Sequence, residues 1–365
     1  MSPTRSTLKS VARQLRAVWM LLLVGVILSI ASPVFLTSSN LLNVGLATSV
    51  VALLAIGQTY VIILAEIDLS VGATLGFSSV VTALVLRDHG LLPALAAGLG
   101  VGAAVGLVNG LLVTRTRMPS FIATLAMMSI LAGMTLQLTS GNPVAVTDYD
   151  FQGIGQAYLA GIPVPVWIMV AGFGLFGVLL ARTGFGRFVY ATGDNHEAAR
   201  LSGIRTQRVK ILAFMISGLL AALGGFILTA RLSTAEPTAG TGLELESIAA
   251  VIIGGTSLAG GRGRLIGTLV GALVLGVIDN GMNLLDVSPF LQSVVKGLVI
   301  LLAVFLDRNV DALRALIPRR GPSAPPGSSA PDDGLPTVQP TPVPTLDPDA
   351  PRQQSAGVPA ARPTP

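Results

Sequence analysis

The chain has 365 residues, 52% of them apolar and only 11% charged, with a mean hydropathy of +0.75. A soluble domain carries roughly a quarter charged residues, so an ordinary water-soluble fold is excluded. The absence of cysteine also excludes disulfide and thiol chemistry. The net charge of +5 sits in short clusters between apolar runs, a distribution that reads as membrane topology and calls for no nucleic-acid partner.

Apolar runs and their flanking charges predict ten spans in chain order. The first, Ala17–Phe35, follows an N-terminal segment 1–16 that carries Arg5, Lys9, Arg13 and Arg16. Ser29-Ile30-Ala31 looks like a signal-peptide cleavage site, but the many spans that follow favour an uncleaved first helix. Leu46–Ala65 and Leu69–Leu86 come next, parted by a break at Glu66 and Asp68. Asp68 and Ser70 are good helix-capping residues. A broken helix is tolerated at membrane depth only against protein or water, which keeps Glu66 and Asp68 as gate candidates.

Leu91–Val113 carries Gly100, Gly102, Gly106 and Gly110. Small residues let helix backbones approach closely, so helix packing is the preferred reading over a direct transport role. Pro119–Leu138 opens with Phe121, a core aromatic or a ring that stacks on a solute. Val164–Ala181 leads into the longest internal polar loop, 182–210. There Asn195 is expected to cap a short helix, Glu197 to sit in its positively poled first turn and Gly203 to end it.

The remaining spans are Ile211–Ala230, Leu243–Leu258, Leu265–Leu285 and Pro289–Leu306. Asp279, Asn280 and Asn283 lie near the end of the ninth. Gln292 and Lys296 share a face of the tenth. Buried charge is costly in a membrane, so Lys296 is expected to pair with Asp279 or another carboxylate and pin helices together. For Asn280 and Asn283 two readings stand side by side, a polar solute path and helix-to-helix glue.

Ten spans with an internal N-terminus place 18 Lys and Arg in segments 1–16, 114–118, 182–210, 259–264 and 307–320, against only Arg87 and Arg231 outside. This asymmetry predicts an all-α integral membrane bundle with both termini cytoplasmic. Its membrane-spanning domain is expected over 17–306. A cytoplasmic tail follows over 307–365, expected to be disordered from about residue 321, because residues 321–365 hold 13 of the 23 prolines. The three lysines, Lys9, Lys210 and Lys296, lie in no phosphate-binding glycine loop. Any ATPase is therefore a separate polypeptide. No cofactor, metal site or catalytic residue is expected.

Glu197-Ala198-Ala199 followed by Gly203 matches the coupling motif of ABC importer permeases. It accompanies Ile67-Asp-Leu-Ser-Val-Gly72, Pro119-Ser-Phe-Ile-Ala-Thr-Leu125, Leu243-Glu-Leu-Glu-Ser-Ile248 and Gly267-Thr-Leu-Val-Gly-Ala272. Together these resemble the ribose-type monosaccharide permeases of bacterial ABC importers, over roughly residues 15–310. The resemblance implies a pentose or hexose as solute and alternating access in the bacterial inner membrane. It also implies cytoplasmic ABC ATPase subunits, an extracytoplasmic sugar-binding protein and a second permease copy, identical or not, all set in membrane lipid. Asn195, Glu197, Ala198, Ala199 and Gly203 would then face the ATPase. Glu66, Asp68, Phe121, Asp279, Asn280, Asn283, Gln292 and Lys296 are candidates for the path or gate. The alternatives are an ABC permease for nucleosides or a furanosyl signal molecule, and a secondary transporter or channel, which would use intramembrane ionisable residues for ion coupling. A membrane-embedded enzyme is disfavoured by the lack of cysteine, paired histidines and clustered carboxylates.

Overall fold

A computed structural model describes residues 5–315, with side chains from Ala17 to Phe305. The Pro-rich tail predicted over 321–365 lies outside the described residues.

Helices α1 (Arg5–Ala31), α2 (Ser38–Ile63), α3 (Val71–His89), α4 (Leu91–Arg115) and α5 (Ser120–Thr139) come first. A short strand β1 (Val144–Ala145), helix α6 (Tyr149–Gln156) and the hairpin β2 (Tyr158–Leu159) and β3 (Ile162–Pro163) follow. Then come α7 (Val164–Arg182), α8 (Gly184–Asp194), α9 (His196–Leu201) and α10 (Thr206–Leu232). Strand β4 (Thr234–Ala235) pairs antiparallel with β1, and α11 (Leu243–Ile253), α12 (Leu265–Leu284) and α13 (Pro289–Ala315) are the last of the described elements. Seven of these helices, α2, α3, α4, α5, α7, α10 and α12, are long and apolar enough to cross a membrane. Shorter apolar stretches, Ala17–Ala31 and Pro289–Phe305, lie in α1 and α13.

Each predicted span falls on a helix, but the eighth is corrected. Leu243–Leu258 reads as one apolar run, yet its helix has 11 residues and rises only about 16 Å, half the hydrocarbon thickness of about 30 Å. Gly254 caps it, and Gly255 at φ +89° turns the chain away. The stretch before α11, residues 236–242, is a chain of turns closed by short-range bonds, among them Thr241 N–H to the Thr238 carbonyl at 3.0 Å.

The core centres on α2 and α10. Leu53, Leu54, Ile56, Tyr60, Ile62 and Ile63 of α2 are fully buried, as are Phe214, Leu220 and Ile227 of α10. Glycines set the α4–α10 seam. A Cβ at Gly102 would overlap the Gly218 carbonyl, and one at Gly106 or Gly110 would lie 2.7 Å from the Cα of Met215 or Ile211. Gly100 points into open space, so three of the four glycines noted in sequence form the packing stripe. α5 and α7 bury few residues, and Leu125, Ile130, Leu175 and Val178 stand exposed on them. Such apolar outer faces suit lipid or another membrane subunit.

At one end of the bundle, α6 covers the C-terminus of α10. Gln156 donates to the Ala230 carbonyl (3.0 Å) and the Ser233 hydroxyl (2.9 Å), satisfying acceptors that a helix end leaves open.

Candidate functional site

The break between α2 and α3 is a dense polar knot. Ala65 turns the chain in a left-handed conformation, φ +59°, which costs a non-glycine residue about 1–2 kcal/mol. The Asp68 carboxylate is 1% exposed and accepts from the Ser70 N–H (3.0 Å), the Ser70 hydroxyl (2.7 Å) and the Ser217 hydroxyl of α10 (2.9 Å). Asn109 of α4 donates to the Ser70 hydroxyl (2.8 Å), and Gln58 donates to the Asp68 carbonyl. Ser70 is the N-cap of α3 but makes no side-chain capping hydrogen bond; its own N–H donates to the Asp68 carboxylate, two residues back. Glu66 makes an ion pair with Lys210 of α10. Both acids expected as gate candidates are therefore tied to other helices, and neither lines the cavities described below.

A cavity of about 390 Å³ lies between α2, α11 and α12, lined by Asn43, Thr48, Arg231, Glu246, Asp279, Asn280 and Asn283 among others. Lys296 bridges two carboxylates beside it, Glu246 at 2.6 Å and Asp279 at 3.0 Å. The pairing with Asp279 matches the expectation from sequence. Glu246, the nearer partner, was not legible because it lies 50 residues away, and its only signal was an acid inside an apolar run. Asn280 exchanges two amide hydrogen bonds with Asn40 of α2, at 3.0 and 2.8 Å. Gln292 donates to Asn283 (2.9 Å) and to the Val287 carbonyl (2.9 Å). These amides act as ties between helices at the rim of the cavity. The Thr48 hydroxyl in the wall has no partner among the described residues. Phe121 stands apart, 51% exposed on α5.

A second cavity, about 190 Å³, lies where both irregular segments meet α5. Its lining includes Gly72, Thr135, Thr238, Gly240 and Glu244. Gly72 and Gly240 touch so closely that neither admits a side chain.

The 182–210 loop carries α8 and α9. Asn195 accepts the Ala198 N–H at 2.9 Å, the predicted cap. Glu197 pairs with Arg200 at 2.9 Å on the surface, and Gly203 at φ +83° ends the helix with its N–H on the Arg200 carbonyl (3.0 Å). His196, Glu197 and Ala198 are exposed, and Leu201 is 79% exposed. Ala199 is corrected: its side chain is 5% exposed. It packs inward and does not form part of the outer face. On the other side of the loop, Tyr60 donates to the Phe176 carbonyl (2.6 Å) and stacks on Phe185. Tyr190 donates to the Gly263 carbonyl at 2.8 Å. Burial pushes the Tyr190 phenol above its ordinary pKa, against the opposing effect of Arg264, so the donated proton stays in place.

The comparisons bear on what this arrangement serves. A family model described as branched-chain amino acid transport system / permease component matches residues 40–304. The ribose import permease protein of Bacillus subtilis (strain 168) is 50% identical over 291 residues, 79% of this chain and 90% of that protein. Its counterpart in Escherichia coli (strain K12) is 48% identical over 296 residues, covering 79% and 92%. The L-arabinose transport system permease protein of Escherichia coli (strain K12) is 40% identical over 277 residues, covering 76% and 84%. No solved structure matches. Matched over most of its apolar length, with the capped helix α9 and the buried polar knot inside the matched region, the chain belongs to the branched-chain amino acid transport system / permease component family.

Proposed function

We propose that this chain is the membrane-spanning permease subunit of an ATP-driven importer for a monosaccharide, with a ribose-like pentose as its first solute. The relatives named for ribose and arabinose import support this reading. The observation that carries it is the capped helix α9, presented outward on a loop that is anchored inward. A short exposed helix with a free Ala198 and Leu201 suits a groove on an ABC ATPase. The permease then works with a cytoplasmic ABC ATPase, an extracytoplasmic sugar-binding protein and a second permease copy, alternating access across the bacterial inner membrane.

Ten crossings with both termini cytoplasmic complete the reading. The C-terminus of α10, the β1–β4 pair and α6 lie together at one end. Ile63 at the end of α2, Gly193 of α8 and the 260–263 loop lie together at the other. Residues 233–264 connect these two ends, so the turns before α11 and α11 itself serve jointly as the eighth crossing. Irregular backbone at that depth suits a wall facing a polar path, and the two cavities beside it are the route proposed for the sugar. A secondary transporter is the weaker reading, because Glu66 and Lys296 are already neutralised by Lys210 and by Glu246 with Asp279.

The test is uptake into proteoliposomes containing the permease, its ATPase and its binding protein. Labelled ribose is competed with unlabelled ribose, arabinose and leucine. ATP-dependent uptake blocked by the pentoses and not by leucine is expected. Uptake driven by an ion gradient without the ATPase would overturn the proposal.

A further inference from the structure

The segment between α2 and α3, with the last residue of α2, touches two helices next to the docking loop, α8 and α10. Gly193 of α8 lies so close to the Ile63 carbonyl that a Cβ there would overlap it, and the Gly261 N–H donates to that same carbonyl at 2.8 Å. α10, which follows α9 after four residues, reaches the segment twice, through Lys210 on Glu66 and Ser217 on Asp68. α8 and α10 therefore both contact residues 63–68.

The same segment holds α5. Helix breaks strand backbone donors, and here they are given to another helix. The Ile67 N–H donates to the Ser120 hydroxyl at 3.0 Å, and the Leu69 N–H donates to the Thr124 hydroxyl at 3.0 Å. The Thr124 hydroxyl in turn bonds the Ser120 carbonyl at 2.9 Å. A buried donor left without its acceptor is costly, so α5 follows the break or both bonds are lost. On the same half of α5, Ala123 packs against Val61, Val113 and Phe214, while Phe121, Ile122 and Leu125 are exposed and leave that side free to shift.

We propose that residues 64–70 relay the motion of the docking loop to α5, with Glu66 and Lys210 as positioning residues on the input side and Ser120 and Thr124 on the output side. This deepens the importer reading and rests on it. The residues touch no substrate in this role. They set which way α5 stands, and α5 in turn forms one wall of the smaller cavity through Thr135 and Leu136.

The experiment uses the assembled importer in proteoliposomes and measures ATPase co-purification, ATP hydrolysis and sugar uptake on the same samples. The variants are Glu66→Gln for the input and Ser120→Ala with Thr124→Val for the output, changes that remove single polar groups and little volume. Co-purification and hydrolysis are expected within about twofold of wild type, while sugar carried per ATP falls about tenfold in both. Glu66→Lys with Lys210→Glu is expected to recover most of that ratio, where each reversal alone does not. A spin-label pair at Ile122 and Arg187 is expected to change separation on ATP addition in the otherwise unchanged protein and to lose that change in the Ser120→Ala, Thr124→Val variant. Parallel loss of hydrolysis and uptake, loss of assembly, or an unchanged ratio would overturn the relay. Absence of ATP-driven uptake before any substitution would overturn the importer reading, and the relay with it.

Discussion

Replacing Lys296 with methionine isolates the role of the charge cluster at the larger cavity. Lys296 sits between Glu246 and Asp279, with side chains 29%, 16% and 28% exposed respectively. Its loss leaves two carboxylates facing each other across α11 and α12. Breaking a fully buried pair costs about 3–5 kcal/mol. Partial exposure screens the orphaned charges, which reduces the expected destabilisation to about 2 kcal/mol. Asp279→Asn should be far milder, about 0.5 kcal/mol, because the shorter Lys296–Glu246 bond survives it. If repulsion is the cause, neutralising both acids in the Lys296→Met background should recover most of the loss. Apparent melting temperature of the purified protein in detergent, at low and high salt, ranks the variants. Equal damage from Asp279→Asn and Lys296→Met, or no recovery in the triple variant, would refute the reasoning.

Gly106→Leu on α4 should disrupt the seam with α10, costing about 3 kcal/mol by overpacking against backbone that cannot move aside; expression and monodispersity read it. Ala198→Trp should weaken ATPase co-purification while the permease itself stays folded. Ala199→Trp, by contrast, should lower the melting temperature of the isolated permease, because that side chain is buried. Single cysteines at Ser202 and Ser355 in this cysteine-free chain should resist an impermeant thiol reagent applied outside intact cells, and labelling at either would contradict the proposed orientation.

The long helices were legible because a hydrocarbon environment demands long apolar runs, and the sequence marks them with little ambiguity. The break after α2 was legible for a similar reason, since Glu66 and Asp68 interrupt such a run. α11 was not, because an apolar stretch looks the same whether it crosses fully or halfway. Only the left-handed Gly255 and the polar turns before Leu243 set its length. The cap of α9 could be read locally from Asn195 and Gly203. The inward turn of Ala199 could not, as it depends on what the loop packs against. Partners across the bundle, such as Lys296 with Glu246, Lys210 with Glu66 and Asn280 with Asn40, follow from three-dimensional neighbourhood, which one sequence does not encode by spacing.

The cover that α6 places on the far end of α10 has a mechanical consequence. With 27 residues, α10 is a rod of about 40 Å. Its C-terminal end is pinned by Gln156, and Gly155 fits against the backbone of Ala230 and Arg231 without room for a side chain. A pinned C-terminal end makes a fulcrum, and the longest arm of the lever is then the N-terminal end that follows α9. A tilt of about 5° about that fulcrum displaces the N-terminus by roughly 3.5 Å on a rod of this length. Ser217, partway along, travels proportionately less than Lys210 nearer the tip, so the grip on Glu66 is displaced further than the one on Asp68.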